Sequence, residues 1–218
     1  LLIGEYSENQ AKEDLAACQE LAEALNAELM VEIVAPCERA LDMEMKDAAD
    51  AIAAAGVKPD SVIVAQSRLM DFTLETLEAM RVPSFEETHA AARKAFPGIA
   101  LGGGVLPNFT EMNRNHPTPD LFDFISHLTS AVVHEVDDRS VMETLQSLPS
   151  IIGSVRAMAG GKPYRVGPSA IGMRYNPYGP STHDNKNNAR MEFNQQDPRH
   201  RALSGAAFTL GYVARMAA

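Results

Sequence analysis

Apolar runs and amphipathic runs alternate along this chain at about 30 residues per pair, and that alternation restricts the fold more than any other feature. Five runs read as strands: Leu1-Leu2-Ile3-Gly4-Glu5, Leu29 to Val34, Asp60 to Ala65, residues 98–104, and Leu121 to His127, with a second apolar run at Ala131-Val132-Val133. They are close to continuously apolar, as strands covered on both faces are. Between them lie helical spacings. Leu15, Cys18, Ala22 and Leu25 mark one face of a helix from about Ser7 to Asn26. Met45, Ala49 and Ile52 mark a second, over residues 42–55, closed by Gly56. Ser84 and Glu87 have capping-box spacing and open a third, to about Phe96. Strand, helix, strand in this rhythm means parallel strands joined by right-handed crossovers, hence an α/β protein. A doubly wound sheet and a (β/α)-barrel both fit. The nucleotide-binding form of the former loses its best support, because neither GxGxxG nor a P-loop follows the first strand.

Past Asp137 the rhythm changes. Asp137-Asp138-Arg139-Ser140 reads as the cap of a helix carrying Val141, Leu145 and Leu148 inward, with Arg139 placed to pair with Glu143. An extended stretch runs from Tyr164 to Arg174. A polar segment rich in Asn, Pro and Gly then spans Tyr175 to Gln196, the composition of a lid, a binding loop or a plain surface insertion. Asp197-Pro198 supplies a cap and a first-turn proline. The last helix carries Leu203, Ala207, Leu210 and Ala214 on one face. Leu1 opens inside a strand without an initiator methionine, and no strand follows the last helix. A single barrel domain over residues 1–218, part of a longer chain, is the expectation.

Composition narrows the partners. The formal net charge of -10, with no Lys/Arg run, disfavours nucleic acid and anionic membranes. No apolar run approaches the ~20 residues of a membrane span. Two isolated cysteines, Cys18 and Cys37, give neither a disulfide framework nor metal-ligand spacing, which makes a reducing cytoplasm the default.

Chemistry is expected where parallel strands end, at Glu5, Gln66, Ser67, Arg68, Glu111, Asn113, Arg114, His127, His134, Glu135 and Asp137. Two clusters stand out. Gly102-Gly103-Gly104 admits a positive φ or a close approach to the main chain, and the strand then empties into Asn108, Thr110, Glu111, Asn113 and Arg114. Glu111 suits general acid or base work if buried, and Arg114 and Asn113 suit an oxyanion or a hydroxyl, with Phe109 and Met112 to exclude water. The plain alternative is an ordinary polar turn. The second cluster is His134 to Arg139, where His134 suits proton transfer near neutral pH, and Asp137 and Asp138 serve equally well as helix caps. No HxH or HExxH pattern argues for a metal, and Gly167-Pro168-Ser169-Ala170 lacks the second glycine of a nucleophile elbow. His116, His183 and His200 read as solvated loop residues.

Several blocks then resemble one family in order. Asn108 to Arg114 is similar to the F-x-E-L-N-R segment of the D-apionate lactonase family, and His134 to Thr144 to its H-x-x-D-D-x-S-V-x-E-T stretch. Val166 to Ser169, Arg174 to Pro177, Asp197 to Arg199 and Ala206 to Gly211 resemble further blocks. The resemblance is strong over residues 95–218 and general before that. It implies a glycoside-hydrolase-like TIM barrel, here incomplete and lacking the first strands and the last strand. It implies opening of D-apionolactone to the acid in apiose catabolism, with a small sugar lactone and the remaining domains of a longer chain as partners and no cofactor. On the chemistry of the residues, Glu111 and His134 are the expected acid–base pair, and no metal is expected. Asn108, Asn113, Arg114, Asp138, Arg174 and Asn176 are the expected substrate contacts. A glycosidase with paired carboxylates, Glu111 with Glu135, Asp137 or Glu5, and a non-catalytic sugar-binding module are the alternatives.

Overall fold

The structure is a computed structural model that describes residues 8–66, 82–176 and 182–217. The expected strand over residues 1–5, with Glu5, lies outside them, as do Ser67, Arg68 and Pro177.

Five strands form one parallel sheet: β1 (Met30–Ala35), β2 (Ser61–Gln66), β3 (Ala100–Asn108), β4 (Phe124–Ser130) and β5 (Tyr164–Ala170). Their spatial order is their order in sequence. A doubly wound sheet reverses its order at a switch point. Without that reversal, each crossover steps the same way to the next neighbour, which is how a barrel grows. The fold is α/β, a curled part of a TIM barrel. Its curl shows in two arginines that cross the concave side. Arg174, beyond β5, reaches Glu32 on β1 at 2.7 Å, and Arg165 on β5 donates to the Ser61 hydroxyl on β2 at 2.9 Å while lying 4.4 Å over the Phe124 ring.

Among the described residues the helices are α1 (Glu8–Leu25), α2 (Leu41–Ala54), α3 (Phe85–Ala95), α4 (Phe109–Arg114), α5 (Asp138–Glu143), α6 (Leu148–Met158) and α7 (Leu203–Met216). Val31, Ile33 and Ala35 of β1 and Val62 and Val64 of β2 meet Met45, Ala48 and Ile52 of α2 and Ala91 and Ala92 of α3. All six residues of β2 are buried, the signature of a strand covered on both faces. The expected caps form. Ser84 and Glu87 make the reciprocal capping box of α3. After α2, Gly56 (φ +73°) and Val57 donate to Ala53 and Ile52, a Schellman closure. Arg139 meets Glu143 at 2.7 Å, but so exposed a pair adds little.

Three expectations change, and a fourth is sharpened. The strand expected at 121–127 lies at 124–130, because Asp123 turns its carboxylate to the Leu101 N–H and Phe122 folds over β3. The extended stretch 164–174 begins as β5. The outward half of α1 includes Cys18 and Leu25, while Ala22 is buried. On α7 the expected stripe faces solvent, with Leu203 89% and Leu210 74% exposed. Gly205 and Phe208 face inward instead, because a Cβ at Gly205 would sit 2.2 Å from the Arg199 carbonyl and only glycine allows that approach.

The triple glycine of β3 does what its composition implied, but for the protein's own atoms. A Cβ on Gly102 would lie 2.4 Å from the Phe124 ring, one on Gly103 2.1 Å from the Phe122 ring, and one on Gly104 (φ +118°) 2.0 Å from the Ser126 carbonyl. The described part of the polar segment is held by its amides. Asn185 donates to the carbonyls of Ala189 and Gln196, and buried Asn194 accepts from Gln196 N–H and donates to the His183 carbonyl. His200 is not merely solvated, since its Nε2 accepts the Ile171 N–H at 2.9 Å.

Candidate active site

β3 ends at Asn108 and α4 starts at the next residue. In a helix this short, positions three apart share a face. Met112 turns into the core, fully buried, while Glu111 and Arg114 turn the other way and meet at 3.3 Å. They line a cavity of about 540 Å³ at the C-terminal ends of β3 and β4. Leu128, Thr129 and Ser130 of β4 form its base, and His134 stands on the segment that follows. Thr144, Ser147 and Leu148 close a third side, and Met173 and Tyr175, from beyond β5, a fourth.

The cavity therefore gathers four of the residues the sequence singled out: Asn108, Glu111, Arg114 and His134. The Glu111 side chain keeps 12% of its exposure. Burial raises its carboxyl above the ordinary glutamate range, against a hydrogen bond at the head of α4 and the Arg114 charge, which lower it. Phe109 also lines the cavity, as a water-excluding residue would, and its ring stands 5.9 Å from that of His127.

The other four lie elsewhere. Asn113 is exposed on the far side of α4 and does not line the cavity. Asp138 pairs with Arg190 at 3.0 Å and Arg199 at 3.2 Å, which makes it an anchor of the chain beyond β5. Arg174 is committed to Glu32. Asn176 is half-buried beside Tyr175 without lining the cavity. Of the carboxylates that could partner Glu111, Glu135 is exposed and Asp137 caps α5, accepting from the N–H groups of Arg139 and Ser140 at 3.0 Å.

His127, expected at a strand end, lies within β4 and is buried. Its Nδ1 stands 2.8 Å from the Leu128 carbonyl, which only accepts, so Nδ1 carries the proton. Nε2 then accepts from the Tyr164 hydroxyl at 2.7 Å. Burial holds the imidazole below its ordinary range and pushes the Tyr164 phenol up, so both stay neutral.

Two atoms in the cavity wall stand out. Among the described residues, Asn108 Oδ1 and Ser130 Oγ are buried without a hydrogen-bond partner. Asn108 has N-cap backbone geometry (φ -68°, ψ 168°), yet its side chain does not cap α4. Ser130 and Tyr175 were not singled out from sequence. Period two from Ser126 through Leu128 would have found Ser130, had the strand been placed at 124–130.

Among the described residues, no three His, Cys, Asp or Glu side chains group so as to hold a metal ion, and no helix is long and apolar enough to cross a membrane. The D-apionate lactonase TIM-barrel domain family matches residues 3–218. A curated D-apionate lactonase of Brucella anthropi is 45% identical over 193 residues, covering 88% of this chain and 32% of that protein. The chain thus spans about a third of that relative's length. Among solved structures, a GH26 beta-mannanase from Bacteroides ovatus superposes with a TM-score of 0.43 at 10% identity, over 77% of this chain and 57% of that one.

Proposed function

This chain belongs to the D-apionate lactonase TIM-barrel domain family, and from that footing we propose that it opens a sugar lactone, D-apionolactone to D-apionate, by acid–base catalysis in the cavity at the ends of β3 and β4. The observation that carries the reading is Glu111, a carboxyl raised by burial that faces the same cavity as an imidazole, His134. Lactone opening needs a base for the attacking water, a stabiliser for the oxyanion and a proton for the leaving alkoxide. Glu111 takes the proton from water, its raised basicity suiting it to the task. Arg114, 3.3 Å from Glu111, faces the developing oxyanion. His134 returns a proton to the alkoxide. A paired-carboxylate glycosidase has less support, because Glu111 is the one carboxylate among the described residues lining the cavity. Cys18 and Cys37, which form no disulfide among the described residues, fit a cytoplasmic enzyme.

The test is opening of a panel of aldonolactones, D-apionolactone included, by the purified protein with and without chelator. Rapid, chelator-insensitive opening of one lactone is expected, and Glu111→Gln should lower kcat by roughly 100-fold or more with the fold intact. Near-normal turnover in that variant would sink the assignment. A chelator-sensitive rate would move Glu111 and His134 to metal ligation.

A further inference from the structure

We propose that Asn108 and Ser130 form a hydroxyl-recognition pair that selects a five-membered ring bearing adjacent hydroxyl groups. The inference deepens the lactonase reading and rests on it for the identity of the cavity. Asn108 ends β3 and Ser130 ends the neighbouring strand β4, so two short polar side chains meet the cavity from adjacent strands of the parallel sheet. Each leaves a buried oxygen without a partner among the described residues. A buried acceptor or hydroxyl left this way destabilises the fold, and nearly all such groups in folded proteins are satisfied. Asn108 makes the point twice. Its backbone is set for helix capping and its amide stays out of the cap, giving up a stabilising bond that its residue type is suited to make.

Both oxygens are covered in their present rotamers. To present these groups to a ligand, Ser130 turns about χ1 and Asn108 about χ2. Bound hydroxyls would then satisfy both groups. A ring without hydroxyls leaves them unpaired, which is the arrangement that rejects deoxy analogues most strongly. The apolar part of the wall, Phe109, Leu128 and Met173, suits the carbon face of a small ring.

The probes are anhydroerythritol, a tetrahydrofuran ring with two adjacent hydroxyls, and tetrahydrofuran itself. Neither can be hydrolysed, so binding is read apart from turnover. By protein-observed NMR titration, the wild type should prefer the diol by about tenfold. Ser130→Ala and Asn108→Leu should each lose most of that preference and leave tetrahydrofuran binding unchanged. Ser130→Ala removes a buried hydroxyl that bonds to nothing, so the ligand-free variant should melt no lower than the wild type. No diol binding or preference in the wild type, an unchanged preference in Ser130→Ala, or a melting temperature lowered by that substitution would each overturn the pair. If the preference holds and no lactone is opened, the hydrolase reading fails and the recognition pair stands.

Discussion

Glu111 is where burial and chemistry meet on one side chain, and its titration can be followed through the fold as well as through turnover. Its folded-state pKa lies above the unfolded value of about 4.3 because the cavity wall desolvates the ionised form. A carboxyl raised in this way contributes stability in full below the unfolded value and loses it as pH rises through the folded one. Glutamine at this position keeps the neutral form at every pH. Glu111→Gln should therefore melt above the wild type at pH 7, with the gap closing below about pH 4. Thermal melts across that range check it, and a variant less stable at neutral pH would mean that the Arg114 contact outweighs burial. With Glu111 as the proposed base, turnover should also show an acid limb, with activity falling as pH drops through the raised value. The place of Glu111 at the cavity was legible in sequence because residues just beyond the ends of parallel strands collect at one face. Asn108, Arg114 and His134 were legible for the same reason, as polar residues just past strand ends. Ser130 was not, since its role depends on a strand register three residues away from the one the apolar pattern suggests. Asp138 and Arg174 were read as substrate contacts, but their partners, Arg199 and Glu32, are 61 and 142 residues distant, and no local pattern announces such pairings.

At the scale of elements, β3 is the strand whose glycines leave the least room for substitution. Its glycines are required by the two rings of Phe122 and Phe124 and by the Ser126 carbonyl. Gly104 combines a close approach with a φ of +118°, so an added methyl meets both steric overlap and a backbone conformation that L-residues avoid. Gly104→Ala should lose at least ~3 kcal/mol of stability or fail to fold. Gly153, exposed within α6, has nothing within 4 Å of the position a Cβ would take, and Gly153→Ala should gain up to about 1 kcal/mol. Urea midpoints of the two variants test the contrast, and two similar values would sink it. The helix ends were readable, since Ser84 with Glu87 and Gly56 act through neighbours one turn away. The phase of α7 was not. Both the stripe of Leu203, Ala207, Leu210 and Ala214 and that of Gly205, Phe208 and Tyr212 recur at helical spacing. Which one faces inward is decided by the Arg199 carbonyl and by the core around Val141 and Ile152.

For the whole molecule, alternation gave the α/β class and left two architectures; strand order decided between them, and strand order is a property of the assembled sheet. The chain beyond β5 is tied to the segment that follows β4 through a buried guanidinium. Arg199, 4% exposed, makes a two-bond fork with Asp197, which is 2% exposed, and also donates to the Val136 carbonyl and to Asp138. Sequence showed Asp197-Pro198 as a cap, which it is, but the partners in the segment after β4 come only with the fold. Burial alone would raise the Asp197 carboxyl, but the Arg199 side chain and N–H outweigh it and hold it low. Its contribution is thus present above the unfolded value of about 3.9 and lost as pH falls through the folded one. Arg199→Met removes the charged partner and leaves a buried carboxylate with only the N–H of residue 199 for a bond, which should cost about 3–5 kcal/mol at neutral pH. In that variant burial is opposed mainly by the N–H of residue 199 and no longer by the guanidinium, so the Asp197 carboxyl rises and the deficit against the wild type should shrink on acidification as it takes up a proton. Adding Asp197→Asn should recover much of the loss at pH 7, because the cost lies in the stranded charge more than in the missing attraction. Urea denaturation of the single and double variants at neutral and acid pH separates the possibilities. A deficit that does not change with pH, and that the second substitution does not relieve, would mean that Arg199 acts through packing and the Val136 carbonyl, and that the ion pair is incidental to how the chain beyond β5 is held.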